Sequence, residues 1–452
     1  MSNSREQQML EELTQQMLDE AKVQGATAAE AASSIESGYS TSVRMGEVDT
    51  IEHHKDNGMG ISVYFGKRKG SASTSDFSAA SVKEAVRAAC DIARYTEEDE
   101  YAGLADPDNL ATEFPDLELE HSWSVGVEES VELAKECEQA ALEYDERIIN
   151  SEGGSVSSHH SVRVYGNSNG FLAGYRSSQH SISCSVVAQE LSSNSSDGMQ
   201  RDYWYSAARD PEALANAEDV GRIAAERTVN RLGSRKGKTQ RSPIIFAAPI
   251  AGTLIRHLLS AVSGGALYRK ASFLLDSLGE QLFPDFINIS EKPHLHRGVA
   301  SASFDSDGVA TVEKDIISGG VLSSYLLNSY AARRLNMESS GNGGGARNVR
   351  VNSSKSADSK LSLKDMLQDM DRGFLVTELM GQGVNGITGD YSRGAAGFWV
   401  DGGEIVYPID ELTIAGNLKD MFKQIVSVGT DVDCRGNIQS GSILLESMSL
   451  AS

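Results

Sequence analysis

The chain has 452 residues, 40% hydrophobic and 23% charged, which is more than one hydrophobic core serves and points to two domains. Its 64 acidic against 41 basic side chains give a formal charge of −23, which repels phosphate backbones and anionic headgroups, so neither nucleic acid nor a membrane is an expected partner. The polar start MSNSREQQMLEELTQQ lacks the basic and apolar regions of an export signal, and the expected compartment is the cytoplasm.

In chain order, Leu10, Leu13, Met17 and Ala21 recur at helical spacing between a cap at Ser4 and Gly25. Strand patterns run from Ser40 to Thr74: TSVRM, VDTIEHH, a turn at Asp56-Asn57-Gly58, GISVYF, a basic turn from Gly66 to Gly70, and SAST. Ala80 to Arg94 returns to helical period. The acidic, proline-containing stretch Thr96 to His121 has none and is expected to be a surface connection.

The same order then repeats. Gly126 to Leu142 is a helix with Val131, Ala134, Cys137 and Ala141 on one face, and the strands IINSEGGSV, SVRVYG, FLAGYR, HSISCSVVAQE and RDYWYSA follow. Pro211 to Leu232 closes the unit as a long helix with proline at its favoured first position. The expected fold class is α+β: an internally duplicated helix, antiparallel meander and helix in an N-terminal domain over 1–232, with subdomains at about 1–95 and 122–232, and a sheet-rich C-terminal domain over 243–452. The basic run Leu232 to Arg241 is the expected junction.

In the second domain a strand at Pro243 to Ala247 leads to a helix from Ile250 to Val262, ended by Gly264-Gly265. A hairpin turns at Gly319-Gly320, a short helix spans Asn328 to Leu335, and SSGNGGGAR (Ser339 to Arg347) is by composition the most flexible loop. A helix capped by Ser362 delivers the chain into Gly373 to Met421, a glycine-punctuated meander in which Asp390, Arg393 and Trp399 are candidate peptide or subunit contacts, together with Arg347.

The chemistry this sequence lacks is informative. Cys90, Cys137, Cys184 and Cys434 are far apart and read as reduced, mostly buried small hydrophobes. Among the nine histidines no two sit four or five apart, as a zinc helix requires, and the neighbours His53-His54 and His159-His160 face opposite sides of their strands. His294 and His296 lie in a loop without further ligands. The Gly166-x-Ser168-x-Gly170 string joins two strands, whereas a nucleophile elbow joins strand to helix. Gly381-x-Gly383-x-x-Gly386 stands outside any strand–turn–helix unit, so nucleotide binding is not expected.

Several stretches together resemble the TldD/PmbA family, also called modulators of DNA gyrase: SEGGSVSSHHSVRVYGNSNG from 151, YRKASFLLDSLGEQLFPD from 268, FDSDGVATVEKDIISGGVL from 304, and VTELMGQGVNGITGDYSRGAAGFWVDGGEIVYPIDELTIAGNLKDM from 376. The GDYSRGAAGFWV and YRKASFLLDSLG runs are closest to the PmbA (TldE) branch. The resemblance implies a cytoplasmic metallopeptidase of two related subunits, with zinc on a His-Glu-x-x-x-His helix of the TldD-like subunit. At the matching helix this chain offers His257 for the first ligand, Leu258 for the catalytic glutamate and Val262 for the second histidine. Near the C-terminus, where the TldD branch has a cysteine ligand, it reads Asn437-Ile438-Gln439-Ser440-Gly441, with Cys434 only loosely placed.

The resemblance thus implies that this chain has no catalytic residues and no cofactor of its own, and partners a zinc-bearing TldD-like subunit that cleaves extended peptides. A homodimer of the isolated chain stays open, and the alternative is an acidic adaptor with no role in proteolysis.

Overall fold

The computed structural model describes residues 5–191, 198–355 and 361–452. The N-terminal half runs α1 (Arg5–Val23), β1 (Ala28–Arg44), β2 (Glu47–Phe65), β3 (Arg68–Thr74), α2 (Ala79–Tyr95), α3 (Val127–Leu142), β4 (Ile148–Asn167), β5 (Leu172–Gln189), β6 (Met199–Ala208) and α4 (Ala217–Asn230). The two meanders join edge to edge through β1 and β4 into a single six-stranded antiparallel sheet of order β3-β2-β1-β4-β5-β6. All four helices cover one face. Leu10, Met17, Val86 and Ala89 of α1 and α2 pack on Ile35, Ile61 and Val63, while Ala134, Cys137, Val220 and Ala224 of α3 and α4 pack on Val156, Ile182 and Val186. The opposite face is built mainly from small and polar side chains.

Several local expectations differ from this. Asp56-Asn57-Gly58 is no turn: it lies inside β2, paired with Ser34, Ile35 and Glu36, because a continuous partner strand outweighs local turn preference. β1 starts at Ala28, well before the expected strand region, and β4 and β5 are each one strand where the sequence suggested two. Pro211 opens only a short 3₁₀ turn, and α4 starts at Ala217 behind the cap Asn216. The expected α1 cap, Ser4, lies outside the described residues.

The C-terminal half runs β7 (Arg235–Lys236), β8 (Gln240–Phe246), α5 (Ala248–Ala261), α6 (Gly264–Tyr268), β9 (Ile287–Glu291), β10 (Lys314–Ser318), β11 (Val321–Leu322), α7 (Ser329–Leu335), β12 (Val349–Ser353), α8 (Leu363–Met370), β13 (Gly373–Met380), β14 (Asp390–Asp401), β15 (Glu404–Asn417), α9 (Leu418–Lys423), β16 (Ile425–Val428), β17 (Ile438–Gln439) and β18 (Ile443–Ala451). Gly264-Gly265 opens α6, behind the cap Ser263. β18 pairs with both β8 and β15, so β18, β8, β13, β14 and β15 close into a ring. A second sheet has the order β11-β10-β9-β12-β17. The class is α+β.

The stretch from Thr96 to His121 straps the two halves together. Arg333 of α7 donates to the carbonyls of Tyr101, Gly103 and Leu104, and Ala111, Phe171, Tyr165 and Phe304 form a small shared core. The glycine-rich Ser339 to Arg347 loop is also tied down. Glu291, 1% exposed, accepts from Lys314, from the Asn342 amide and from the backbone N–H of Arg347, and Asp305 accepts from the N–H of Gly343.

Candidate functional site

α5 follows directly from β8, with Pro249 in its first turn, and lays its apolar face (Leu254, Ile255, Leu258) on the core. On the same helix, just before Leu258, His257 meets Tyr391 of β14 edge to face, with ring centroids 5.9 Å apart and planes at 79°. Arg393 lies two residues along the same strand and so on the same face. Burial, with Arg393 and then Arg256 nearby, holds the His257 pKa below its ordinary value, and the ring is neutral at pH 7. Burial pushes Tyr391 up to about 12, against the opposing pull of Arg393. His257 Nε2 and Arg393 Nε are both buried without a hydrogen-bond partner among the described residues.

This arrangement does not fit zinc. Leu258 and Val262 are fully buried apolar side chains, the ring packs against Tyr391, and the charges that act on it are the cations Arg393 and Arg256. The segment Asn437 to Gly441 does reach the helix, since Ile438 lies against Gly252, but it brings no thiolate: Ser440 is buried and Cys434 is exposed. Among the described residues no group of three or more His, Cys, Asp or Glu is placed to hold a metal ion.

Beside α5 opens a cleft of about 1090 Å³, walled by edge strand β6 on one side and by Thr253, Thr377, Glu378, Met380 and Arg393 on the other. Among the described residues β6 pairs with no strand but β5, so its other edge carries no strand partner. Arg435 stacks on Trp204 at 3.8 Å and Tyr205 at 4.4 Å and donates to the Tyr205 carbonyl on that edge. The cleft arginines are mostly neutralised: Arg201 by Glu152, Arg227 by Asp202, Arg231 by Glu378 and Arg435 by Asp433. Arg393 has no carboxylate partner among the described residues. It is the cleft cation available to an anionic group.

The four candidates do not converge. Arg393 lines the cleft, whereas Trp399 is 7% exposed in the core. Asp390 is exposed and accepts from Thr388 Oγ1 at 2.7 Å and Asn417 Nδ2 at 3.2 Å, bonds that lower its pKa and tie a turn to the end of β15. Arg347 lies in a separate groove of about 680 Å³ between its loop and the open face of the N-terminal sheet. Sequence reading missed Trp204, Tyr205, Arg231 and Arg435. The one signal for them was the aromatic density of RDYWYSA, in a strand whose edge position sequence does not reveal.

Family models for the PmbA/TldA metallopeptidase match residues 29–93 (domain 1), 120–232 (central domain) and 239–452 (C-terminal domain). The chain is 51% identical over 423 residues to the metalloprotease PmbA of Escherichia coli O157:H7, covering 94% of this chain and 92% of that protein. It is 48% identical to a PmbA homologue of Haemophilus influenzae, covering 92% of this chain and 90% of that one. A crystal structure from Bacteroides thetaiotaomicron, described as a modulator of DNA gyrase, superposes with a TM-score of 0.90 at 27% identity over 98% of both chains. TldE from Thermococcus kodakarensis shares the fold, with a TM-score of 0.82 at 22% identity over 97% of this chain and all of that one. No described helix is long and apolar enough to cross a membrane. From the match across all three segments and the identity to PmbA proteins, this chain belongs to the PmbA/TldD metallopeptidase family.

Proposed function

We propose that this chain is the non-catalytic subunit of a two-subunit zinc peptidase. The observation that carries the reading is what stands at the zinc-helix position: a neutral His257 followed by the apolar Leu258 and Val262 and under the influence of Arg393, with no group of three or more His, Cys, Asp or Glu placed to hold a metal ion among the described residues. Its role is to form one wall of the compartment in which a zinc-bearing TldD-like subunit acts. TldD homologues from Buchnera align with this chain at 21% identity, in keeping with two related subunits.

The cleft suits an extended peptide. Its backbone adds to the free edge of β6, which tolerates varied side chains, and a carboxylate on it meets Arg393. Purified alone in chelator-treated buffer, the protein is expected to cleave no peptide; mixed with a zinc-loaded TldD-like subunit it forms a stable complex that does. Zinc-dependent cleavage by the isolated chain would overturn the assignment. A complex that forms only with an unrelated protein would favour the adaptor.

A further inference from the structure

The open face of the N-terminal sheet carries a pair of histidines that the function above does not use. β1 alternates so that Ile35 and Thr41 face the helices while Ser34, Glu36, Gly38 and Ser40 face away. Gly38 pairs with His54 on β2 and with His159 on β4, so both imidazoles emerge on this open face, one on each side of a position with no side chain. They lean together across it. His159 Nδ1 and His54 Nε2 stand 3.4 Å apart, with ring centroids 5.0 Å apart. A Cβ on Gly38 would come within 2.8 Å of each ring, so glycine is what lets them meet.

We propose that His54 and His159 form a two-histidine site for a late first-row divalent cation, Zn²⁺ in the first instance. Two imidazole nitrogens bound to one tetrahedral zinc, each at about 2.0–2.1 Å, are about 3.4 Å apart. The observed separation matches that bite and is long for an N–H···N hydrogen bond. Both rings are partly exposed, and burial together with the neighbouring ring lowers the His159 pKa, which keeps it in the neutral, ligating form. Glu36, one step along β1 on the same face, adds negative potential while its carboxylate is held by Arg163 at 2.6 Å. With two protein ligands the other coordination positions go to water or to a donor atom of an incoming molecule. The neighbours His53 and His160 turn to the other face and take no part.

Isothermal titration of the full chain with Zn²⁺ alone tests this. One site is expected in the wild type, weakened at least about 10-fold in both His54→Gln and His159→Gln, since loss of a direct ligand costs no less than loss of an outer partner. The double variant His294→Gln/His296→Gln should bind as the wild type does, and a given Zn²⁺ concentration should raise the melting temperature of the wild type by more than that of either single variant. Absence of binding in the wild type, or binding unchanged in both single variants, overturns the proposal. Zinc uptake without peptide cleavage leaves the partner-subunit reading intact. Zinc-dependent cleavage would sink that reading and leave this site to be judged on binding alone.

Discussion

Replacing Lys314 by Met strands one of the most deeply buried carboxylates in the chain. Lys314 Nζ reaches Glu291 Oε2 and Asn342 Oδ1, both at 2.9 Å, and the Ser340 carbonyl. The methionine keeps the stem's volume, so the loss is electrostatic. Breaking a buried pair from one side costs about 3–5 kcal/mol. We therefore expect the Lys314→Met chain to lose about 3–5 kcal/mol in denaturant unfolding of the C-terminal half at pH 7. Adding Glu291→Gln should recover most of it, because glutamine removes the charge and still accepts from Asn342 and the Arg347 N–H. Limited proteolysis should show the Ser339 to Arg347 loop opening in the single variant and closing again in the double. A single variant within about 1 kcal/mol of the parent, or a double variant no better than the single, would refute this account.

Two further outcomes follow from the fold. Gly221→Ala in α4 gains about 1 kcal/mol of helix propensity, yet its Cβ would lie 1.9 Å from the Cys137 carbonyl oxygen of α3. The obstruction is backbone and no rotamer relieves it, so a net loss of about 2 kcal/mol is expected from the N-terminal unfolding midpoint, and an unchanged or raised midpoint would contradict it. His180 is fully buried, donating from Nε2 to the His121 carbonyl and accepting at Nδ1 from Ser158, and burial lowers its pKa. The unfolded chain therefore takes up this proton first. Its stabilising contribution is complete above about pH 6.5 and is lost as pH falls from there through the folded-state value, so unfolding midpoints at pH 7 and pH 5 should differ less in His180→Asn than in the wild type.

What the sequence disclosed was mostly local. The helical period of Leu10, Leu13, Met17 and Ala21, the helix cap at Ser362, and the Gly319-Gly320 hairpin turn all rest on neighbours a few residues apart, and all appear in the structure. What misled was equally local. Asp56-Asn57-Gly58 has every mark of a turn, and only the run of β1 beside it, some twenty residues upstream, makes it strand. Asn342 sits in the most glycine-rich loop of the chain and is 5% exposed, because Glu291 and Lys314 arrive from other strands. Arg393 and Trp399 share a strand and a face, yet one borders the cleft and the other fills the core. Sequence names the face but not its depth.

The ring of strands in the C-terminal half has a kinetic side. β8 leads the domain and β18 comes last in it, yet β18 lies between β8 and β15 and supplies the pairings that close the ring. Until Ile443–Ala451 has left the ribosome, β8 presents an unpaired edge and β15 lacks its partner along Thr413 to Ala415, with the two-residue β7 as its neighbour on that side. The N-terminal sheet is complete by Ala208 and is free to fold long before that. The interval between the two, when one half is native and the other is an open sheet, is when this chain is most exposed to mispairing and most in need of a chaperone.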